Sequence, residues 1–217
     1  MAIVNPPDAS LGSDDIVWIG IIEPKPGQRH CGLIYQITGT LRILHLAFHH
    51  LLRDEPYGGD YWWSPVGLDP DNQAALAAII STIATGHPMI PYGFDLSGIV
   101  FDKVTGEILN APPGTGLTCS TFILAVFNTF NFHPTKLESW MIRPGDDNWQ
   151  KDMIALMVDH GAADEHTAAV RNHSKSARFR PEEVVGCVST NSDEWPIEFD
   201  KAVSLASEVL ADMGIAA

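Results

Sequence analysis

The hydrophobic residues of the N-terminal half fall into short runs that are typical of strands. Residues 16–22, 30–37 and 41–48 are rich in Ile, Leu and aromatic side chains, and the segments between them contain glycine. Such runs, bounded by turn residues, predict β-strands. Residues 38–40 (Thr-Gly-Thr) separate the second run from the third, and this spacing is typical of a tight hairpin. A further short strand is expected within residues 60–66.

Helical signals begin after these strands. Asp69 and Pro70 provide an N-cap and a proline at the first helical position, so a helix is expected over residues 72–85. A second helix is predicted over residues 118–130, where apolar side chains recur every three or four positions. That stripe consists of Cys119, Phe122, Ile123, Val126, Phe127 and Phe130. We also expect a strand with a turn over residues 99–108, helices over 147–159, 162–172 and 197–213, and a short element over 182–189.

The composition fits one globular domain of negative charge. The chain has 217 residues, of which 45% are hydrophobic and 18% are charged, and this apolar fraction supports a sizeable core. Its 13 Lys and Arg residues against 27 Asp and Glu residues give a formal net charge of −14 at pH 7. Because such a surplus repels phosphate groups, nucleic acids and anionic membranes are not expected as partners.

Targeting signals and cysteine usage indicate a location. Residues 1–15 contain prolines and acidic residues in place of the basic and apolar parts of a signal peptide. The longest apolar stretches, such as residues 74–83, cover about half of the roughly 20 residues that span a bilayer. Cys31, Cys119 and Cys187 are far apart and lack a CxxC spacing, so neither a disulfide framework nor a zinc ribbon is expected. These features predict a soluble cytoplasmic protein without a cofactor or metal.

A glycine-rich loop precedes the helix that contains Cys119. Residues 111–118 are similar to a nucleotide-binding loop, but Leu117 stands where such a loop needs a phosphate-binding lysine, so no nucleotide is expected. The loop places Cys119 in the first turn of the helix, where unpaired N–H groups and the helix dipole stabilise an anion. A thiol there can have a lowered pKa and act as a nucleophile, with the N–H groups of Cys119 and Ser120 as an oxyanion hole. Most free cysteines are inert core residues. The position of Cys119, considered without any other residue, is compatible with that alternative as well.

Two histidines of the predicted hairpin are placed to assist a cysteine, because a thiol nucleophile needs a base and the base needs an orienting group. With a two-residue turn, His30 and His45 fall on the same face of the hairpin, whereas a three-residue loop would separate them. This face also carries Gly32 and other small or polar residues, and we expect the start of the cysteine helix to approach it. Cys31 falls on the opposite, apolar face and is therefore excluded as a partner of His30.

The order of these segments resembles that of a known group of enzymes. A strand begins with HCGLIY at residues 30–35, the next strand contains ILHL at residues 43–46, and a helix begins with LTCSTF at residues 117–122. This order resembles circularly permuted papain-fold proteins, namely the lecithin-retinol acyltransferase-like proteins and the permuted branch of the NlpC-type amidases and peptidases. The resemblance covers residues 15–132.

The resemblance implies an α+β fold in which a permuted papain-like core packs an antiparallel sheet against the cysteine-bearing helix. It makes Cys119 the nucleophile, His30 the general base and His45 the orienting residue. The implied reaction is hydrolysis of an amide or ester bond in a peptide, isopeptide or other acyl substrate through a covalent acyl-enzyme. Departure from the Asn-Cys-Glu-His-Phe cluster of many of these acyltransferases favours hydrolysis over lipid acyl transfer. Residues 133–217 are expected to form a helical extension of the same single domain, 1–217.

Two other functions are compatible with the sequence. One is a metal enzyme whose ligands come from a histidine-rich set, although its spacing is unspecific and no HExxH motif is present. That set contains His45, His49, His50, His160, Glu165, His166 and His173. The other is a catalytically silent binding or immunity-like module, with an interface at the aromatic run of residues 61–63. Cys187 lies in an apolar run without a glycine-led helix start, so we expect it to be structural.

Overall fold

The computed structural model describes residues 3–12, 16–172 and 176–216. Its centre is a five-stranded antiparallel sheet in the order β4-β3-β2-β1-β5. These strands are β1 (Val17–Lys25), β2 (Gln28–Ile37), β3 (Thr40–Phe48), β4 (Leu51–Pro56) and β5 (Trp62–Pro65). A separate small hairpin, in the segment where a strand with a turn is predicted, consists of β6 (Val100–Phe101) and β7 (Ile108–Leu109).

Six helices complete the described part of the chain and confirm the α+β class. They are α1 (Pro70–Gly86), α2 (Cys119–Asn128), α3 (Asp146–Asp159), α4 (Asp164–Asn172), α5 (Pro181–Ser189) and α6 (Phe199–Asp212). The predicted N-cap of α1 is confirmed, because the Asp69 carboxylate accepts a hydrogen bond of 3.0 Å from the Asn72 N–H. Within the described residues, no helix is long and apolar enough to cross a membrane.

The hairpin of β2 and β3 has the register that the sequence predicts. Its ladder runs from Ile37 opposite Thr40 to Leu33 opposite Leu44, so the turn consists of two residues. Both turn residues, at positions 38 and 39, have positive φ angles of 48° and 80°, which a type I′ turn requires. The ladder stops before the end of the hairpin that carries the two histidines, so the strands are free to separate there.

The two faces of the sheet carry different cores. The inner face packs against α1, α2 and α5. Its buried side chains from β2 and β3 are Cys31, Leu33, Tyr35, Leu44 and Leu46. The outer face carries a smaller cluster that consists of Trp18, Ile34, Ile43, Tyr61 and Trp63. Two of the three aromatic residues at 61–63, considered as an interface in the binding-module alternative, are therefore buried in this cluster.

The helices described after residue 133 are α3 to α6, and α5 packs against strands β1, β2 and β5. Val184, Val185 and Val188 of α5 are fully buried in the inner core. The inner core therefore draws on both parts of the chain.

Strand β4 is not anticipated by the sequence. Its residues, LLRDEP, show no alternation of apolar and polar side chains, and only Leu52 among them is buried. Charged residues are common on edge strands, where one side of the strand faces solvent. β4 pairs with β3 after a tight turn at residues 49–50, and it brings Arg53 and Glu55 close to His45.

Candidate active site

Cys119 is the first residue of α2, and a capping box fixes its position. The Thr118 hydroxyl accepts a hydrogen bond of 3.2 Å from the Thr121 N–H, and the Thr121 hydroxyl accepts one of 2.7 Å from the Thr118 N–H. This arrangement stabilises the helix start. Among the described residues, the N–H groups of Cys119 and Ser120 have no acceptor. They are therefore available to an anion next to the Cys119 sulfur.

The glycine-rich loop before α2 is held by a close backbone crossing. The Gly116 N–H donates to the Asp95 carbonyl at 3.0 Å, and the Leu117 N–H donates to the Pro91 carbonyl at 2.9 Å. A Cβ atom on Gly116 would lie 2.6 Å from the backbone nitrogen of Gly93, so the crossing requires glycine. The loop thus serves to fix the direction in which α2 enters the core.

His30 and His45 form a direct pair at the open end of the hairpin. The distance between His30 Nε2 and His45 Nδ1 is 2.7 Å, and the two rings meet edge to face. A Cβ atom on Gly32 would lie 2.9 Å from the His45 Cβ, so only glycine leaves room for the His45 side chain. On its other side, His45 Nε2 lies 3.9 Å from a carboxylate oxygen of Glu55.

The two histidines have opposite pKa shifts. Burial lowers the pKa of His45 to about 4, and the charges of His30 and Arg53 contribute to this shift. His45 is therefore neutral near pH 7, and its Nδ1 can accept a hydrogen bond from the Nε2–H of His30. Burial alone would lower the pKa of His30, but the charge of Cys119 and a hydrogen bond with it outweigh this effect and raise the pKa. His30 Nε2 is engaged by His45, which leaves His30 Nδ1 for the sulfur.

The pKa of Cys119 is held well below the ordinary value of a thiol. The largest cause is a hydrogen bond from the Cys31 side chain, which outweighs the opposing effect of burial. The charge of His30, a hydrogen bond with it and the Cys31 backbone N–H lower the pKa further. A lowered thiol pKa beside a raised imidazole pKa favours a thiolate-imidazolium pair near neutral pH.

Cys31 is a site residue that the parity argument missed. We expected the start of α2 over the histidine face, but α2 packs against the inner face, because its apolar stripe needs the apolar side of the sheet. Its N-terminus then meets Cys31 from the inner face and the histidines where the ladder has ended. The Ser120 hydroxyl lies 3.8 Å from the Cys31 sulfur and 3.9 Å from the Cys119 sulfur. The sequence argument excluded Cys31 only as the thiol partner of His30. It did not address whether the Cys31 thiol could donate a hydrogen bond to Cys119.

A cavity of about 810 Å³ opens at this cluster. Cys119, His30 and His45 line it together with Tyr92, whose pKa is raised by burial and by the charge of Cys119. Cys119 is half-buried and therefore accessible from the cavity. The remaining wall of the cavity includes side chains of α3 and of the segment before α5, which lie far from Cys119 in sequence.

Cys187 and the described histidines of the metal alternative lie outside the Cys119 cluster, except His45. Cys187 is buried, and burial raises its pKa to about 12, as expected for a structural thiol. His49 Nδ1 accepts the Tyr92 N–H at 3.1 Å, and His166 Nε2 lies 2.8 Å from the Tyr92 carbonyl oxygen. In the described part of the chain, no group of three or more His, Cys, Asp and Glu side chains could hold a metal ion. His173, the last histidine of the proposed metal set, lies outside the described residues.

Comparison of the chain with protein-family models, curated protein sequences and solved structures finds no match. The chemistry of this site is therefore inferred from its own side chains.

Proposed function

We propose that the protein is a cysteine hydrolase that cleaves an amide or ester bond. The observation that carries this proposal is that Cys119, at a helix start, lines one cavity with His30 and His45, and that His30 Nε2 lies 2.7 Å from His45 Nδ1. These three residues supply a nucleophile, a general base and an orienting group.

In the acylation step, the Cys119 sulfur attacks the carbonyl carbon of the substrate and forms a carbon–sulfur bond. The negative charge that develops on the carbonyl oxygen is stabilised by the N–H groups of Cys119 and Ser120. The His30 imidazolium then gives its proton to the departing amine or alcohol as the bond to that group breaks. The product of this step is a thioester on Cys119 and a neutral His30.

In the deacylation step, His30 takes a proton from a water molecule that attacks the thioester. The oxyanion is again held by the two N–H groups, and the tetrahedral intermediate releases the acid and the Cys119 thiolate. His45 holds the His30 ring in one orientation throughout, because its low pKa keeps its Nδ1 an acceptor. His45 is therefore a positioning residue in this mechanism.

The proposal extends to the class of protein. The chain order of His30, His45 and Cys119, and the packing of an antiparallel sheet against the cysteine-bearing helix, support a permuted papain-like hydrolase of the NlpC type. Peptide and isopeptide substrates fit this class. The three free thiols favour a reducing compartment such as the cytoplasm, where Cys119 would stay in its active form.

The test is detection of the acyl-enzyme. Purified protein is mixed with 4-nitrophenyl acetate, and intact mass together with peptide mapping measures acetyl transfer to each cysteine. We expect a burst of nitrophenol with acetylation at Cys119, loss of both in Cys119→Ala, and retention of both in Cys187→Ala. A catalytically silent module is indicated instead if Cys119 is not acetylated and its alkylation follows the pH dependence of an ordinary thiol.

A further inference from the structure

Arg178 lies in the same cavity as Cys119, and no ion pair of its side chain is found among the described residues. Its guanidinium is stacked over the ring of Trp149, 4.0 Å from the ring centroid. Within the described residues, no carboxylate, carbonyl or hydroxyl oxygen accepts a hydrogen bond from this guanidinium, although it carries five N–H donors. These N–H donors are therefore available to an anion that enters the cavity, and a hydrogen bond between two charged groups is stronger than one between neutral groups.

Asp146 and Glu182, the carboxylates whose charges act on Arg178, are already engaged by other arginines. Glu182 accepts two hydrogen bonds, of 2.8 and 3.0 Å, from Arg29. Asp146 accepts the Arg143 N–H at 3.0 Å and also lies close to the side chains of Arg143 and Arg180. Burial and the charge of Arg180 accordingly lower the pKa of Arg178, in spite of the opposing charges of Asp146 and Glu182.

The cavity wall next to Arg178 is apolar. Trp149, Met153 and Leu156 line the cavity from α3, at a spacing that places them on one face of the helix. Phe179 and Phe48 contribute further apolar surface to the same cavity. A ligand that reaches Arg178 therefore passes over hydrocarbon and aromatic groups.

Tyr92 connects this wall to the reactive sulfur. Its ionisation is affected by the charges of both Cys119 and Arg178, in opposite directions. Tyr92, Cys119 and Arg178 line the same cavity, so an elongated substrate molecule can contact the sulfur and the guanidinium.

We propose that Arg178 binds an anionic group, a carboxylate or a phosphate, on the substrate of Cys119. The substrate is then an amide or ester in which an apolar segment separates this anionic group from the bond that is cleaved. The substrate class rests on the proposed hydrolase function, whereas the anion-binding role of Arg178 stands on the cavity alone. In a chain of net charge −14, a guanidinium inside the cavity also offsets the general repulsion of an anion.

The first test compares two esters of equal carbon number. The 4-nitrophenyl monoester of suberic acid carries a terminal carboxylate, and 4-nitrophenyl octanoate carries a methyl group in its place. For wild type we expect kcat/KM to be at least about tenfold higher with the suberate ester, since a charge-assisted hydrogen bond has this effect or more. The ratio of kcat/KM between the two esters is compared within each variant. Arg178→Gln is expected to remove the preference for the suberate ester, and Arg178→Lys to restore part of it.

The exposed Arg171 of α4 provides the matched control. Arg171→Gln removes the same charge from the surface and should leave the preference unchanged. Equal kcat/KM for the two esters in wild type, or an unchanged preference in Arg178→Gln, would overturn the proposal.

A second measurement does not depend on turnover. Alkylation of Cys119 by iodoacetamide is followed in the presence of 4-phenylbutyrate, 3-phenylpropyl phosphate or the uncharged 4-phenylbutanol. We expect either or both anions to protect Cys119 in wild type but not in Arg178→Gln, with the more protective one identifying the preferred group. If the esters are not hydrolysed while an anion still protects, the hydrolase proposal fails and the Arg178 site stands. If the esters are hydrolysed without charge preference and no anion protects, the reverse holds.

Discussion

The contribution of Cys31 to the reactivity of Cys119 can be measured by removing its thiol. Cys31→Ala deletes the largest cause of the lowered Cys119 pKa and keeps the Cys31 backbone N–H. A hydrogen bond to a charged group is worth about 1.5 to 3 kcal/mol. At a fixed pH below the pKa, the thiolate fraction should therefore fall by about 10- to 150-fold.

The observed change in alkylation rate is smaller, because a thiolate of higher pKa is also a better nucleophile. With a Brønsted coefficient of about 0.4 to 0.5, roughly half of the loss is returned on a logarithmic scale. We therefore expect Cys119 in Cys31→Ala to react with iodoacetamide about 3- to 20-fold more slowly than in wild type.

The assay is a series of alkylation rates against pH, measured by mass spectrometry in a Cys187→Ala background. Cys31→Ser, which keeps a hydrogen-bond donor, is the matched variant and should lose less reactivity than Cys31→Ala. Near-ultraviolet circular dichroism and the melting temperature report whether each variant keeps its fold. Identical pH profiles for wild type and a folded Cys31→Ala would refute the role that we assign to the Cys31 thiol.

Three further predictions follow from the same geometry. The pH profile of kcat/KM should be bell-shaped, falling on the acid side as the Cys119 thiolate is protonated and on the alkaline side as the His30 imidazolium loses its proton; dependence on one ordinary thiol ionisation would contradict the ion pair. Gly32→Ala places a Cβ atom 2.9 Å from the His45 Cβ and should lower kcat by about 10- to 100-fold, whereas Gly58→Ala, with only Asp60 Oδ1 near its Cβ, should have no effect. The pKa of His45 is 6.5 in the unfolded state and about 4 in the folded state, so the unfolded state binds more protons between these pH values. Wild type should therefore lose roughly 3 kcal/mol more stability than His45→Asn as the pH falls from 6.5 to 4. Chemical denaturation at the two pH values measures this difference.

Features set by neighbouring residues could be predicted from the sequence. The two-residue turn at 38–39 fixes the parity of the hairpin, and that parity is enough to place His30 and His45 together. The Asp69 cap and the glycine-rich loop before Cys119 fixed two helix starts in the same way. Each of these signals acts over a few residues, so no knowledge of long-range packing is needed.

Features that depend on packing between distant segments could not be predicted. The contact of Cys31 with Cys119 depends on which face of the sheet α2 covers, and hairpin parity is silent on that choice. Arg178 reaches the cavity only because the packing of α3 and α5 brings Trp149 and Arg178 to the same wall. In neither case does the local sequence carry a pattern that differs from an ordinary core or surface residue.

Reactivity and substrate selection are assigned to different parts of the chain. The reacting groups come from residues before position 121, while Trp149, Met153, Leu156 and Arg178 come from the part after position 145. Substitutions in the later part can therefore diversify which acyl groups are accepted while the nucleophile and its base stay intact. The same division makes α3 a natural target for directed evolution, with libraries at its three cavity-facing positions selected on new esters.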